Sequence, residues 1–190
     1  MSNCGLTAPI QIPCNKFMPG IRRIYIADFY SGSTSSAQNI AYTADATNVI
    51  TAATLSNGTF LMIDLTKESS DIQDAITVNA TNGTVAYETM INLYLSQYST
   101  AMRNRIVLMA KGKSLIVFED RNGQAWLAGT DGSGSRTGQS NGCDMEPGTA
   151  TTGKAAGDTN GYTIAFKAAE KVPPLEISTT VLAGISTIAA

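Results

Sequence analysis

The chain has 190 residues, and its 13 basic and 15 acidic residues give a charged fraction of only 15% and a formal net charge of −2. Without a basic excess, tight binding to a phosphate backbone is disfavoured, and without any histidine a serine or cysteine nucleophile activated by histidine is excluded. Since residues 1–20 lack the layout of a secretory signal and no apolar run reaches 18 residues, we expect synthesis and use in a cytoplasm, without a membrane.

The elements begin with an irregular or extended N-terminal arm over residues 1–20, which contains three prolines. Ile21 to Tyr30 is rich in β-branched and aromatic residues and predicts the first strand, and the polar stretch from Ser31 to Ala44 predicts a loop. Two apolar runs, Asn48 to Leu55 and Thr59 to Leu65, then predict the first hairpin.

A second, longer hairpin is predicted from Asp71 to Ala80 and from Thr84 to Leu95. Side chains alternate along a strand, so its residues divide into two faces. The apolar face carries Ile72, Ile76, Val78, Val85, Tyr87, Ile91, Leu93 and Leu95. The other face carries Gln73, Thr77, Asn79, Ala86, Glu88, Met90, Asn92, Tyr94 and Ser96. We expect the first face to pack on a core and the second to meet water or a partner.

The spacing of apolar residues changes to three or four positions between Ser99 and Ala110, as Met102, Ile106 and Met109 show. This spacing predicts the single helix of the chain. Ser99 or Thr100 is a suitable N-cap and Gly112 a suitable end. The nearby cations Arg103, Arg105, Lys111 and Lys113 are interpreted as a solvated face.

A third hairpin is predicted from Leu115 to Glu119 and from Gln124 to Ala128, followed by a long glycine-rich loop over residues 129–157. Tyr162 to Ala168 predicts the last strand. The domain proper then covers residues 21–170, and residues 171–190 form a C-terminal tail that docks on a neighbour or frays.

Five Asn-Gly dipeptides mark turns, because both residues tolerate the positive φ of tight turns. They are Asn57-Gly58, Asn82-Gly83, Asn122-Gly123, Asn141-Gly142 and Asn160-Gly161. The first three are predicted at the tips of the three hairpins and the fifth at the start of the last strand, while Asn141-Gly142 stays unassigned.

No pattern in the sequence predicts catalysis, a metal or a cofactor. The cysteines Cys4, Cys14 and Cys143 are odd in number and widely spaced, so we interpret them as free thiols. Glu119 and Asp120 adjoin a turn and are expected in solvent, and the loop sequence GTDGSG lacks the Gly-Lys-Ser/Thr ending of a phosphate-binding loop. Low charge density instead predicts a surface covered by other copies of the chain.

Three segments carry a resemblance to a known family: the NATNGTV hairpin, the EDRNGQAWLAG hairpin and the GDTNGYTIAF strand, with the helix between the first two. In this order they resemble the tail-tube and tail-ring proteins of tailed bacteriophages, most closely those of crAss-like and related phages of Bacteroidales. The resemblance covers residues 20–175 and leaves out the C-terminal tail.

The resemblance implies a mainly β protein, an antiparallel β-sandwich or small barrel with hairpins and one flanking α-helix. Copies of it would join side by side into a ring, usually six-fold, around a channel through which DNA is ejected. Its partners would be itself and neighbouring proteins of the virion tail or head-to-tail connector. The channel-lining residues would be Gln73, Thr77, Asn79, Glu88 and Asn92.

Two alternatives stay open. The same fold serves in the tube of contractile injection or secretion systems, which the sequence does not separate from a phage tail. A β-sandwich binding module is the other, although a single Trp gives little sign of the exposed aromatic cluster that such a module needs.

Overall fold

The computed structural model describes residues 17–32, 37–130, 132, 134 and 142–188, with side chains described as far as Ile185. Eleven strands and two helices lie in these residues. The strands are β1 (Ile21–Asp28), β2 (Ile40–Ala44), β3 (Ile50–Leu55), β4 (Leu61–Asp64), β5 (Asp71–Asn79), β6 (Thr84–Ser96), β7 (Ser114–Asp120), β8 (Ala125–Ala128), β9 (Cys143–Thr151), β10 (Gly161–Glu170) and β11 (Leu175–Ile177). The helices are α1 (Thr100–Met109) and α2 (Thr179–Ile188). The protein is mainly β and mostly antiparallel, as predicted.

Two central strands, β1 and β7, are buried on both faces. They pair antiparallel, with Ile24 opposite Phe118 and Tyr25 opposite Val117. Their near-continuous apolar runs reflect this double burial, since each alternate side chain enters a different core. The central pair therefore separates two hydrophobic clusters.

The first cluster lies between β1–β7 and a four-stranded sheet of order β9-β10-β6-β5. Its largest fully buried side chains include Ile91 and Leu93 of β6 and Phe166 of β10. Complete burial of one such side chain stabilises the fold by roughly 1.5–3 kcal/mol. Helix α1 packs Met102, Ile106 and Met109 against the same cluster.

The second cluster lies on the other face of β1–β7. Strands β2, β3, β8 and β11 and helix α2 supply most of its other side chains, among them Ile40, Ile50, Leu127 and Ile177. The only parallel pairing in the described residues joins β3 to β11, through Ile50 and Ile177. None of the described helices has the length and apolar character that crossing a membrane requires.

The polar stretches predicted as loops contain strands. Ile40–Ala44 is strand β2 within the predicted loop of residues 31–44, and Cys143–Thr151 is strand β9 within the predicted loop of residues 129–157. The tail of residues 171–190 contains β11 and a second helix, α2, where a single helix was predicted for the whole chain. Long-range pairing and burial, which local polarity does not report, stabilise these elements.

The prediction that β3 and β4 pair with each other as the first hairpin is wrong. Strand β3 pairs with β2 and β11, whereas β4 pairs with β1, with Ile63 opposite Ile24. Asn57 and Gly58 form the connection between these two layers, with Gly58 at φ +73°. The Asn39 side chain holds this connection by accepting from the Asn57 N–H at 2.9 Å and donating to the Asn57 carbonyl at 2.7 Å. The turn residues were identified correctly, but their partners were not.

The other two hairpins are confirmed. Strands β5 and β6 pair from Asp71–Asn92 to Asn79–Thr84, around a connection that contains Asn82 and Gly83. Strands β7 and β8 pair around Asn122 and Gly123, where the Asp120 carboxylate accepts from two backbone N–H groups at 2.8 Å. Both glycines adopt positive φ.

Two shorter sequence predictions are also confirmed. Ser99 caps α1, because its hydroxyl accepts a hydrogen bond from the Met102 N–H at 3.3 Å. Gly161 begins β10, as predicted for Asn160-Gly161. Asn141 of the unassigned turn and most of the N-terminal arm lie outside the described residues, and Gly142 precedes β9 at φ +68°.

Candidate functional site

The four-stranded sheet β9-β10-β6-β5 has one face on the first core and one face turned away from it, which we call the outer face. On β10, Ile164 and Phe166 are buried, whereas Thr163 is exposed and Ala165 is partly buried. Antiparallel pairing places directly opposed residues on the same side of a sheet. The register therefore assigns each residue of the four strands to one face.

All five predicted channel-lining residues lie on the outer face. Gln73, Thr77 and Asn79 are exposed on β5, and Glu88 and Asn92 are partly exposed on β6. The structure thus brings together side chains that are up to 19 positions apart, because β5 and β6 pair along their whole shared length.

Hydrogen bonds tie several of these side chains to their neighbours. The Asp71 carboxylate accepts from the Gln73 amide at 3.1 Å and from the Asn92 amide at 3.3 Å. Lys167 of β10 forms an ion pair with Glu88 at 2.8 Å, and this contact raises the pKa of the lysine. The outer face is therefore an ordered polar surface.

Strands β9 and β10 supply outer-face residues that sequence reasoning missed. The register adds Thr163, Ala165, Lys167 and Ala169 of β10, and Asp144 and Glu146 of β9. The alternation of large apolar residues at Tyr162, Ile164 and Phe166 could have identified the β10 set, but β9 lay inside a predicted loop. The outer face carries four carboxylates, at positions 71, 88, 144 and 146, against one lysine, Lys167.

Both edges of the four-stranded sheet are open among the described residues. At one edge β5 pairs only with β6. At the other, β9 pairs with β10 with a register shift between Glu146 and Thr149, while its single pairing with β7 joins Cys143 to Ser114. Residues 147–151 of β9 are all exposed. Open edges present unpaired backbone donors and acceptors, which can accept another strand.

The β5–β6 hairpin, which we call the ribbon, has a tip that projects beyond the rest of the sheet. Strand β10 ends at Glu170, opposite Tyr87, so the pairs up to Asn79–Thr84 have no third strand beside them. Ile76, Val78 and Val85, which continue the core-facing side, are 63%, 66% and 49% exposed. We call these three side chains the ribbon patch. Their exposure corrects the expectation that this whole face packs on the core.

The buried ionisable groups do not form a reactive site. Burial raises the pKa of the Cys143 thiol well above its usual value, and the charges of Glu170 and Asp144 add to this effect, so the thiol stays protonated. Glu170 is buried and accepts from the N–H groups of Gly129 and Thr130. Burial raises its pKa to about 7. Cys143 is a free thiol, while Cys4 and Cys14 lie outside the described residues.

Glu119 is buried, which corrects its predicted position in solvent. Its carboxylate accepts from the Tyr25 hydroxyl at 3.2 Å and pairs with Arg22 at 3.3 Å. These contacts attach β7 to β1, so the residue has a structural role. In the described part of the chain no group of three or more histidine, cysteine or acidic side chains is placed to hold a metal ion.

Comparison of the chain with protein-family models, with curated proteins and with solved structures gave no match.

Proposed function

We propose that the protein is a ring-forming structural subunit of a phage tail, in which the outer face of the four-stranded sheet lines the channel for DNA. The observation that carries this proposal is the pair of open, equally long edges on one sheet. Strands β5 and β9 each have nine residues. The sequence resemblance to tail-tube and tail-ring proteins points in the same direction.

The strand directions suit a cyclic assembly. Each neighbouring pair in β9-β10-β6-β5 is antiparallel, so β9 and β5 run in opposite directions. Rotation about an axis along the strands leaves these directions unchanged in every copy. The β5 edge of one copy would therefore meet the β9 edge of the next in an antiparallel pair, which is a heterologous contact that can close into a ring.

The stagger of the strands also favours closure. Strand β5 pairs with the stretch Thr84–Asn92 of β6. Strand β9 pairs with residues of β10 whose own partners on β6 are Thr89–Ser96. A barrel closes only when its strands tilt and their register shifts steadily around it. The displacement of β9 relative to β5 is a shift of this kind.

The chemistry of the outer face suits the passage of DNA. A surface with four carboxylates and one lysine repels a polyphosphate weakly, and its lysine, Lys167, is already paired with Glu88. Small or uncharged side chains, such as Ala75, Ala86 and Thr163, occupy other positions on this face. DNA would therefore move past the face without being held.

Mass photometry and negative-stain electron microscopy of the purified chain test the proposal. We expect rings or short tubes, with a predominant species near six times the chain mass of 19.9 kDa. A chain that stays monomeric at every concentration and joins no phage particle would contradict the proposal.

Cysteine crosslinking tests the edge contact itself. In a Cys4→Ser, Cys14→Ser background, single cysteines on the β5 edge are mixed with single cysteines on the β9 edge. The β5 set is Gln73→Cys, Ala75→Cys and Thr77→Cys, and the β9 set is Glu146→Cys, Thr149→Cys and Thr151→Cys. In an antiparallel contact, β5 variants with the cysteine nearer to Asn79 form their disulfides with β9 variants whose cysteine is nearer to the start of β9. A parallel shift, or rings without any such disulfide, would exclude this edge contact.

A further inference from the structure

The ribbon patch is an apolar surface in an acidic segment. Ile76 lies opposite Tyr87 and Val78 opposite Val85, on the side of the ribbon that carries Asp74. The sequence from residue 68 to residue 102 contains no lysine or arginine. The patch therefore combines exposed aliphatic side chains with the carboxylate of Asp74, which lies on the same face of the hairpin.

A groove of opposite charge lies between α1 and the β1–β4 pair. Its apolar lining includes Ile26, Leu61, Ile63, Met102 and Leu108, around a cavity of about 180 Å³. Leu61 and Leu108 are 57% and 70% exposed. We call this feature the α1 groove.

The charges at the α1 groove are mainly cationic. Arg105 and Lys113 line it together with Asp28. Residues 103–113 contain four basic residues and no acidic residue. Lys113 forms an ion pair with Asp144 at 3.1 Å, whereas Arg105 has no ion-pair partner among the described residues.

We infer that the ribbon patch of one copy docks into the α1 groove of a second copy. Both surfaces expose aliphatic side chains, and their joint removal from water lowers the free energy of the complex. Asp74 beside the patch also has the opposite charge to Arg105 beside the groove. No residue of the ribbon lines the groove of its own chain. The contact therefore joins different surfaces of two copies and continues from copy to copy.

This inference rests on the proposed function but concerns a different contact. The edge pairing uses the backbone of β5 and β9, whereas patch and groove use side chains of the ribbon tip, α1 and β4. A stable interface buries roughly 1,200–2,000 Å² in total, which three exposed side chains do not supply. Docking of the patch would thus add to the edge contact and stabilise a ring or the stacking of rings.

Crosslinking between two singly substituted proteins tests the contact, again in the Cys4→Ser, Cys14→Ser background. We expect Val78→Cys mixed with Leu108→Cys to form an intermolecular disulfide under mild oxidation. Val78 and Leu108 are 66% and 70% exposed, so the substitutions should leave folding intact. The matched control is Thr77→Cys with Leu108→Cys, because Thr77 is the neighbouring exposed residue on the opposite face.

The yields of these disulfides and the assembly state of the unsubstituted chain test the docking of the patch into the groove. A disulfide with Val78→Cys at least ten times more abundant than with Thr77→Cys supports the inference. A dimer formed by Val78→Cys alone would show that patches meet each other and would overturn it. Rings of the unsubstituted chain without the Val78–Leu108 disulfide would overturn the inference and leave the proposed function intact, whereas a strictly monomeric chain would overturn both.

A charge reversal gives an independent readout of assembly. We expect Arg105→Glu to lower the fraction of assembled protein at least five-fold at low salt, and Asp74→Lys combined with Arg105→Glu to restore it. Circular dichroism and the melting temperature verify that each variant is folded. Unchanged assembly of folded Arg105→Glu would count against the docking.

Discussion

The ionisation of Glu170 is linked to the fold, because its carboxylate is buried and hydrogen-bonded. Its carboxylate accepts from the N–H of Thr130 at 3.2 Å and from the N–H of Gly129, and Thr130 in turn contacts the Tyr42 hydroxyl at 3.3 Å. The group therefore connects the last residue of β10 to the chain that leaves β8. Burial raises the pKa of Glu170, and the two backbone donors lower it by a smaller amount. The resulting pKa is about 7.

The raised pKa predicts a pH dependence of stability. Between about pH 4.5 and pH 7 the folded protein retains a proton that the unfolded chain has lost, so the free energy of unfolding falls as the pH rises through this window. The full effect of this group is about 3 kcal/mol. Glu170→Gln cannot titrate, and its free energy of unfolding should lack this decline.

Urea denaturation of both proteins from pH 4.5 to pH 8 measures the difference. Glu68→Gln is the control, because its side chain is 79% exposed and its substitution should leave the decline in place. Parallel pH profiles for the wild type and Glu170→Gln would contradict the prediction.

At the scale of elements, the β5–β6 ribbon depends on its turn. The Asn79 side chain accepts from the N–H groups of Thr81 and Asn82, both at 3.1 Å, and Gly83 completes the connection at φ +64°. A Cβ atom at Gly83 would meet nothing within 4 Å. The need for glycine there is therefore a matter of backbone conformation, not of space.

Gly83→Val should strain this turn by about 1–3 kcal/mol, because a β-branched residue rarely adopts positive φ. The ribbon tip makes little contact with the core, so we expect frayed ends and weaker assembly with a smaller loss of global stability. Hydrogen exchange in residues 75–88 and mass photometry measure the two effects. Gly83→Asn, which tolerates the conformation, is the control, and equal behaviour of both variants would refute this account of the turn.

At the scale of the whole molecule, two cores lie on either side of β1–β7. Helix α1 and the four-stranded sheet enclose the first core, while α2 and the remaining strands enclose the second. This arrangement leaves the outer face free of covering elements in the described part of the chain.

Lysines on the outer face should slow DNA without unfolding the protein. In assembled Gln73→Lys/Thr77→Lys, each ring would carry a band of added positive charge, and we expect retention of linear duplex DNA with a steep salt dependence. Ala46→Lys/Thr180→Lys is the control, with the same added charge at exposed positions in the turn between β2 and β3 and on α2. Fluorescence anisotropy of labelled DNA measures retention, and equal retention by both variants would mean that the outer face does not line the channel.

Local signals in the sequence predicted much of the fold. The alternation of β6, the apolar runs of β1 and β7, the Ser99 cap and the turns at Gly83 and Gly123 each depend on neighbouring residues only. The same alternation placed Gln73, Thr77, Asn79, Glu88 and Asn92 on one face, which the register confirms. It did not reveal Lys167 or Glu146, because sequence-distant strands bring them to that face.

The sequence by itself determined a histidine-free, mainly β chain with a two-faced hairpin, since strand periodicity and turn chemistry are local properties. The tertiary structure decided which strands meet. Asn57-Gly58 connects two layers instead of closing a hairpin, because Ile50 of β3 enters the second core while Ile63 of β4 packs against the first. The pairing of β10 with both β6 and β9 likewise joins strands that are distant in the sequence, and it leaves β5 and β9 as the edges on which the proposed assembly rests.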